Sequence, residues 1–126
     1  MMKTWNIALT GCGTVGMALL ELLHEKREML KNRFHFEYNI SLISARSKGI
    51  LLNPAGLDLD GVLSALHEKN SLCVFPQSSG SFSELLTQSE ANILVEATPT
   101  NLNTAEPGLE HITTALNQNI HVVTVN

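Results

Sequence analysis

A glycine turn set between two apolar segments of different periodicity constrains this chain more than any other feature. Residues 11–16 read Gly11-Cys12-Gly13-Thr14-Val15-Gly16, a match to G-x-G-x-x-G. Before it, Thr4 to Thr10 is a short apolar run of the kind found in a strand buried on both faces of a parallel sheet. After it, from Thr14 to about Asn32, Val15, Leu19, Leu22, Leu23, Met29 and Leu30 recur at helical spacing, with Glu21, Glu25, Lys26 and Glu28 on the wet side. In that context Gly11 allows the tight turn, Gly13 removes the Cβ that would keep the backbone from a pyrophosphate, and Gly16 lets the helix approach the sheet. The N–H groups from Gly13 to Val15 are left facing outward at a helix N-terminus, where free donors and the helix dipole favour an anion. The expectation is a dinucleotide on Gly11, Cys12, Gly13, Thr14, Val15 and Gly16; the alternative is a strand-to-helix turn that binds nothing.

The rest of the chain continues the alternation. Phe36 to Ser44 reads as a second strand through Tyr38, Ile40, Leu42 and Ile43. A helix is expected from about Leu57 to Asn70, carrying Leu59, Val62, Leu63 and Leu66, and another from Ser81 to about Ser89, where Ser81 and Glu84 stand at capping-box spacing. Ile93 to Glu96 is a further strand, Gly108 to Asn117 a helix with Leu109, Ile112 and Leu116 inward, and His121 to Val125 a last strand. Strands alternating with helices predict an α/β fold, a Rossmann-type doubly wound parallel sheet in three α/β/α layers, as one domain over residues 1–126.

Composition narrows the ligand. A formal charge of −4 with no block of Lys or Arg argues against nucleic acid or an anionic membrane as partner. No apolar run reaches the roughly 20 residues of a membrane span, and the start lacks a signal peptide's apolar stretch, so a cytoplasmic protein is expected. Cys12 and Cys73 suit reduced thiols, and the five histidines show no metal-ligand spacing, so no metal is expected. Cys12, at a helix N-terminus, is a conceivable reactive thiol.

The end of the second strand bears on which dinucleotide is bound. An acid there accepts from the adenosine ribose hydroxyls and repels a 2′-phosphate. Here the segment is Ser41-Leu42-Ile43-Ser44-Ala45-Arg46-Ser47-Lys48-Gly49, with no acid. Arg46, with Ser47 and Lys48, offers a charge-assisted fork to a phosphate, so NADP is preferred and NAD remains possible. The alternative is that Arg46 and Lys48 are solvated loop charges. Arg46 stands 35 residues after Gly11, beyond the usual fingerprint spacing, because the first helix is long.

A second motif follows the strand ending at Glu96: a polar loop, Glu96-Ala97-Thr98-Pro99-Thr100-Asn101, leading to Glu106-Pro107-Gly108. Pro99 fixes its own φ and biases Thr98 toward an extended backbone, which would hold the Thr98 hydroxyl against a cofactor ring or ribose. The same loop equally suits a cap for the next helix, through Thr104 or Glu106.

With the glycine turn, these motifs and the closing His121-Val122-Val123-Thr124-Val125-Asn126, the chain resembles the N-terminal domain of the homoserine dehydrogenases over its whole length. It departs from the family pattern at Ala105, Asn119 and Val125. The resemblance implies an NAD(P)-dependent interconversion of aspartate 4-semialdehyde and homoserine, a step toward threonine, methionine and isoleucine. It implies that Gly11 to Gly16 bind the pyrophosphate, Arg46 the 2′-phosphate, and Thr98, Pro99 and Thr100 the nicotinamide end. It also implies that the lysine used by the family as proton donor, and the C-terminal substrate and dimerisation domain of a homo-oligomeric enzyme, lie outside residues 1–126. On that expectation residues 1–126 bind cofactor, hold no catalytic residue, and meet the small-molecule substrate only with that further domain. A non-catalytic nucleotide-sensing module, or the first domain of another amino-acid dehydrogenase, is the competing reading.

Overall fold

A computed structural model describes residues 3–99 and 101–125. Five strands form one sheet: β1 (Thr4–Thr10), β2 (Glu37–Ala45), β3 (Gly49–Leu52), β4 (Ile93–Glu96) and β5 (His121–Thr124), in the spatial order β3-β2-β1-β4-β5. The pairs β1–β2, β1–β4 and β4–β5 are parallel, as the strand–helix alternation predicts. β3 departs from that expectation: it returns antiparallel beside β2, with Ala45 opposite Gly49, so the sheet is mixed.

The first helix also differs from the sequence pattern. It divides into α1 (Thr14–Glu25) and α2 (Arg27–Phe34), with Lys26 between them leaving helical geometry while its N–H still reaches the Leu22 carbonyl. The helical spacing continues across Lys26, so sequence alone reads one element. Leu20 is fully buried, whereas Val15 and Leu22 are each 53% exposed. Then come α3 (Leu59–Lys69), α4 (Phe82–Ser89) and α5 (Gly108–Asn117). The Ser81 hydroxyl caps α4 by accepting from the Glu84 N–H at 3.1 Å, as its spacing predicts. In α5 the buried positions are Gly108 and Ala115, while Leu109 and Leu116 lie more than half exposed, so the helix is turned away from the face its leucines suggest.

Two apolar clusters complete the three layers. On one side of the sheet Ile7, Leu9, Ile40 and Ile43 pack with Leu20 of α1 and Leu59, Val62, Leu63 and Leu66 of α3. On the other, Ala8, Leu42 and Leu94 pack with Leu85 and Leu86 of α4 and Ala115 of α5. Opposite pointing of successive strand residues separates Leu9 from Ala8 in this way. The pairing of β2 with β1 shifts between Ile7 and Ala8, whose partners are Ile40 and Leu42, so Ser41 is passed over. The parallel strands β1, β2 and β4 end together at one edge, and that edge carries the glycine turn, the β2–β3 hairpin tip and the loop after β4.

Candidate functional site

The turn after β1 is shaped by close approach. Gly11 has φ +85°, and a Cβ there would lie 2.5 Å from the Ala97 carbonyl oxygen and 2.7 Å from the Thr98 nitrogen. Only glycine lets the turn lie against the start of the loop after β4. A Cβ on Gly16 would lie 2.4 Å from the Gly11 carbonyl oxygen, so this glycine lets the first turn of α1 close onto the loop preceding it. Gly13 is different: a Cβ there meets no heavy atom within 4 Å. The space in front of it is open, a cradle that a methyl group would begin to fill. No side chain caps α1, and its first turn contains no acidic residue, so the helix sets no carboxylate of its own beside its N-terminal donors.

The hairpin joining β2 to β3 brings Arg46, Ser47 and Lys48 to the same edge. Its tip closes through the Lys48 N–H to the Ala45 carbonyl, and Gly49, at φ +137°, returns the chain into β3. Arg46 and Ser47 are exposed. Lys48 turns toward the glycine turn and donates from Nζ to the Cys12 carbonyl at 2.6 Å, fastening the hairpin to the loop. The two basic residues therefore stand differently, Arg46 toward solvent and Lys48 beside the cradle.

The loop after β4 supplies the third wall. Thr98 is 9% exposed and Pro99 exposed; Thr100 lies outside the described residues. Thr98 is held by Glu96, whose carboxylate is completely buried at the end of β4. Burial pushes the Glu96 carboxyl up, but hydrogen bonds from His111, Thr10 and Thr98 outweigh it and hold the pKa at about 2. His111 comes from α5, with its Nδ1 at 2.6 Å from Glu96 Oε2 and its ring 4.3 Å from that of Phe82. Glu106 caps α5, accepting from the Glu110 N–H at 3.2 Å, so this loop serves the helix as well.

These three segments enclose one cavity of about 530 Å³. Gly11, Cys12, Gly13, Thr14 and Val15 form one wall, Ala45 to Lys48 a second, and Ala97, Thr98, Pro99, Pro107 and Val125 the rest. Gly16 lies behind the turn and lines a neighbouring apolar groove. Among the described residues two cations and no carboxylate line the cavity, which suits an anionic ligand with an apolar portion. Glu37 is elsewhere, at the opposite end of β2 and 3.3 Å from Lys31.

The sequence pattern drew no attention to Glu96 as an anchor or to His111. An acid closing an apolar strand was the available signal for the first; fifteen residues separate it from His111, and only the packing of α5 joins them. Cys12 is not the accessible thiol its helix-terminal place suggested. It is 4% exposed, and burial pushes its pKa up against the lowering influence of Lys48. Among the described residues no helix is long and apolar enough to cross a membrane, and no group of three or more His, Cys, Asp or Glu is placed to hold a metal ion.

Residues 11–126 match the family described as homoserine dehydrogenase, NAD-binding domain. The chain is 28% identical over 123 residues to a homoserine dehydrogenase of Methanocaldococcus jannaschii, covering 96% of this chain and 36% of that protein. It is 29% identical over 127 residues to an NAD(+)-dependent homoserine dehydrogenase of Pseudomonas canavaninivorans, covering 99% and 36%. A solved structure of a hyperthermophilic archaeal homoserine dehydrogenase mutant in complex with NADPH superposes with a TM-score of 0.79 at 30% identity, covering 98% of this chain and 36% of that one. The chain thus spans about a third of the length of these relatives.

Proposed function

This chain belongs to the homoserine dehydrogenase NAD-binding domain family, and from that premise we propose that its cavity binds NADPH in preference to NADH, within an enzyme that interconverts aspartate 4-semialdehyde and homoserine. The observation that carries the cofactor preference is the lining: a helix N-terminus open at Gly13, flanked by Arg46 and Lys48, with no carboxylate on the cavity wall among the described residues. An acid positioned to take the ribose hydroxyls would repel the extra phosphate, and the second strand ends without one.

In this reading the backbone donors from Gly13 to Val15 receive the pyrophosphate, with Gly11 and Gly16 setting the turn and Cys12 and Thr14 forming its wall. Lys48, already at the Cys12 carbonyl, adds positive charge beside that pyrophosphate. Arg46, with Ser47, receives the adenosine 2′-phosphate. Thr98 and Pro99 face the nicotinamide end, a role that the family resemblance also implies for Thr100. NADPH bound there supplies a hydride. The loops exclude water around it and fix its orientation, while the substrate site and proton donor that such a reaction needs are supplied by further polypeptide. Homo-oligomer formation and a place in threonine, methionine and isoleucine biosynthesis belong to the same proposal.

Calorimetric titration with NADPH and NADH tests the cofactor assignment. The chain should bind NADPH more tightly, and Arg46→Ala should weaken NADPH by about tenfold while leaving NADH nearly unchanged, the effect of one charge-assisted contact of about 1.4 kcal/mol. Equal weakening of both nucleotides would remove Arg46 from the 2′-phosphate.

A further inference from the structure

From the described residues the Glu96 carboxylate receives four hydrogen bonds, two at each oxygen. At Oε2 it accepts from the Thr10 hydroxyl at 2.6 Å and from His111 Nδ1 at 2.6 Å. At Oε1 it accepts from the Thr98 N–H at 2.8 Å and from the Thr98 hydroxyl. An ionised carboxylate only accepts, so the hydrogens have fixed places: His111 carries one on Nδ1, and both threonine hydroxyls point theirs at Glu96. A threonine hydroxyl has a single hydrogen and two lone pairs. With its hydrogen committed, the Thr98 oxygen keeps only lone pairs for any other partner, and Thr98 lines the cavity.

We propose that Glu96 is a positioning residue that turns the Thr98 hydroxyl into an acceptor-only contact, selecting an N–H or O–H donor on the nicotinamide half of the cofactor. The inference rests on reading the cavity as a dinucleotide site. It also gives His111 and Thr10 a purpose. They come from α5 and β1, and by occupying Oε2 they leave Oε1 as the acceptor that meets Thr98. The contact is thus assembled from two strands, a helix and a loop, none of which alone fixes the direction of the Thr98 hydrogen. A low carboxyl pKa fits the arrangement, since a protonated Glu96 would offer a donor where Thr98 needs an acceptor.

The chain and its Glu96→Ala, Glu96→Gln and Thr98→Val variants are titrated with NADPH and with 2′,5′-ADP, which carries the phosphorylated adenosine but no nicotinamide riboside. Glutamine keeps an oxygen for Thr98, while its amino group meets Thr10 and His111, each able to turn and accept. Glu96→Ala and Thr98→Val should each weaken NADPH roughly tenfold. The double variant should bind no more weakly than either single. Glu96→Gln should stay within about threefold of the parent chain, and 2′,5′-ADP affinity should be unchanged throughout. Parallel losses for both ligands, or an additive double variant, indicate a merely structural Glu96 and overturn the proposal. A parent chain that binds neither ligand overturns the dinucleotide reading itself, whereas one that binds NADPH with every variant unaffected overturns the positioning role alone. If Glu96→Ala does not fold, the Thr98 hydroxyl proton of the parent chain decides by proton NMR: slow exchange with water supports donation to Glu96, and rapid exchange overturns it.

Discussion

A methyl group added at Gly13 meets no heavy atom within 4 Å, whereas one added at Gly16 lies 2.4 Å from the Gly11 carbonyl oxygen. The motif's glycines therefore separate into one that faces open space, where the proposed ligand would lie, and one kept for the fold. Gly13→Ala should leave the thermal midpoint nearly unchanged while weakening NADPH by roughly tenfold or more, because the new methyl occupies the space a pyrophosphate needs. Gly16→Ala should destabilise the chain by on the order of 2 kcal/mol, the usual scale of overpacking, since the atom it strikes is backbone. Denaturant melts and nucleotide titrations of the two variants separate these effects. If Gly13→Ala bound NADPH normally, the pyrophosphate would have to lie elsewhere. The sequence motif identifies these positions; the direction each Cβ would take becomes visible only once Gly11 is packed against Ala97.

At the scale of elements, α4 offers a direct test of a local rule. Its N-cap Ser81 accepts from the Glu84 N–H, but the second half of the expected capping box is altered: the Glu84 carboxylate accepts from the Ser81 hydroxyl at 2.9 Å. Ser81→Ala removes both contacts and should lower stability by about 1 kcal/mol, measured by urea denaturation with an unchanged slope. Strong local patterns of this kind, with the alternation of strands and helices, made β1, β2, α3, α4, β4, α5 and β5 legible in the sequence. β3 was not, because Gly49-Ile50-Leu51-Leu52 is too short to display a period of two, and its antiparallel return depends on pairing with Leu42 to Ala45. The inward face of α5 was misread for a related reason. Gly108 and Ala115 are buried there and His111 reaches Glu96, so small size and a polar partner outweigh the leucines. At the candidate site, the glycine turn and Arg46 were legible from chemistry in short range. The Lys48–Cys12 and Glu96–His111 contacts join residues 36 and 15 positions apart, and the fold alone brings them together.

For the molecule as a whole, the buried Glu96 carboxylate ties global stability to pH. Its pKa is about 2 in the folded chain against an ordinary 4.5, so the folded state favours the ionised form. That contribution, on the order of 3 kcal/mol, is fully present above about pH 4.5 and is lost as pH falls through about 2. Denaturant melts between neutral and strongly acidic pH should show the parent chain losing stability relative to Glu96→Gln; parallel curves would exclude the linkage. The same whole-molecule view shows an uneven coat. Val15, Val123 and Val125 are each at least half exposed along an apolar groove between α1 and the β4–β5 edge, while α4 and α5 cover the other face. The β2–β3 hairpin has its own consequence. Arg46 and Ser47 sit exposed at its tip, and the register below them is held by main-chain pairing from Ala45 and Gly49 inward. On the proposed reading, cofactor choice is thereby written on a detachable label: those two letters can be rewritten in a lineage without altering the core that every descendant must still fold.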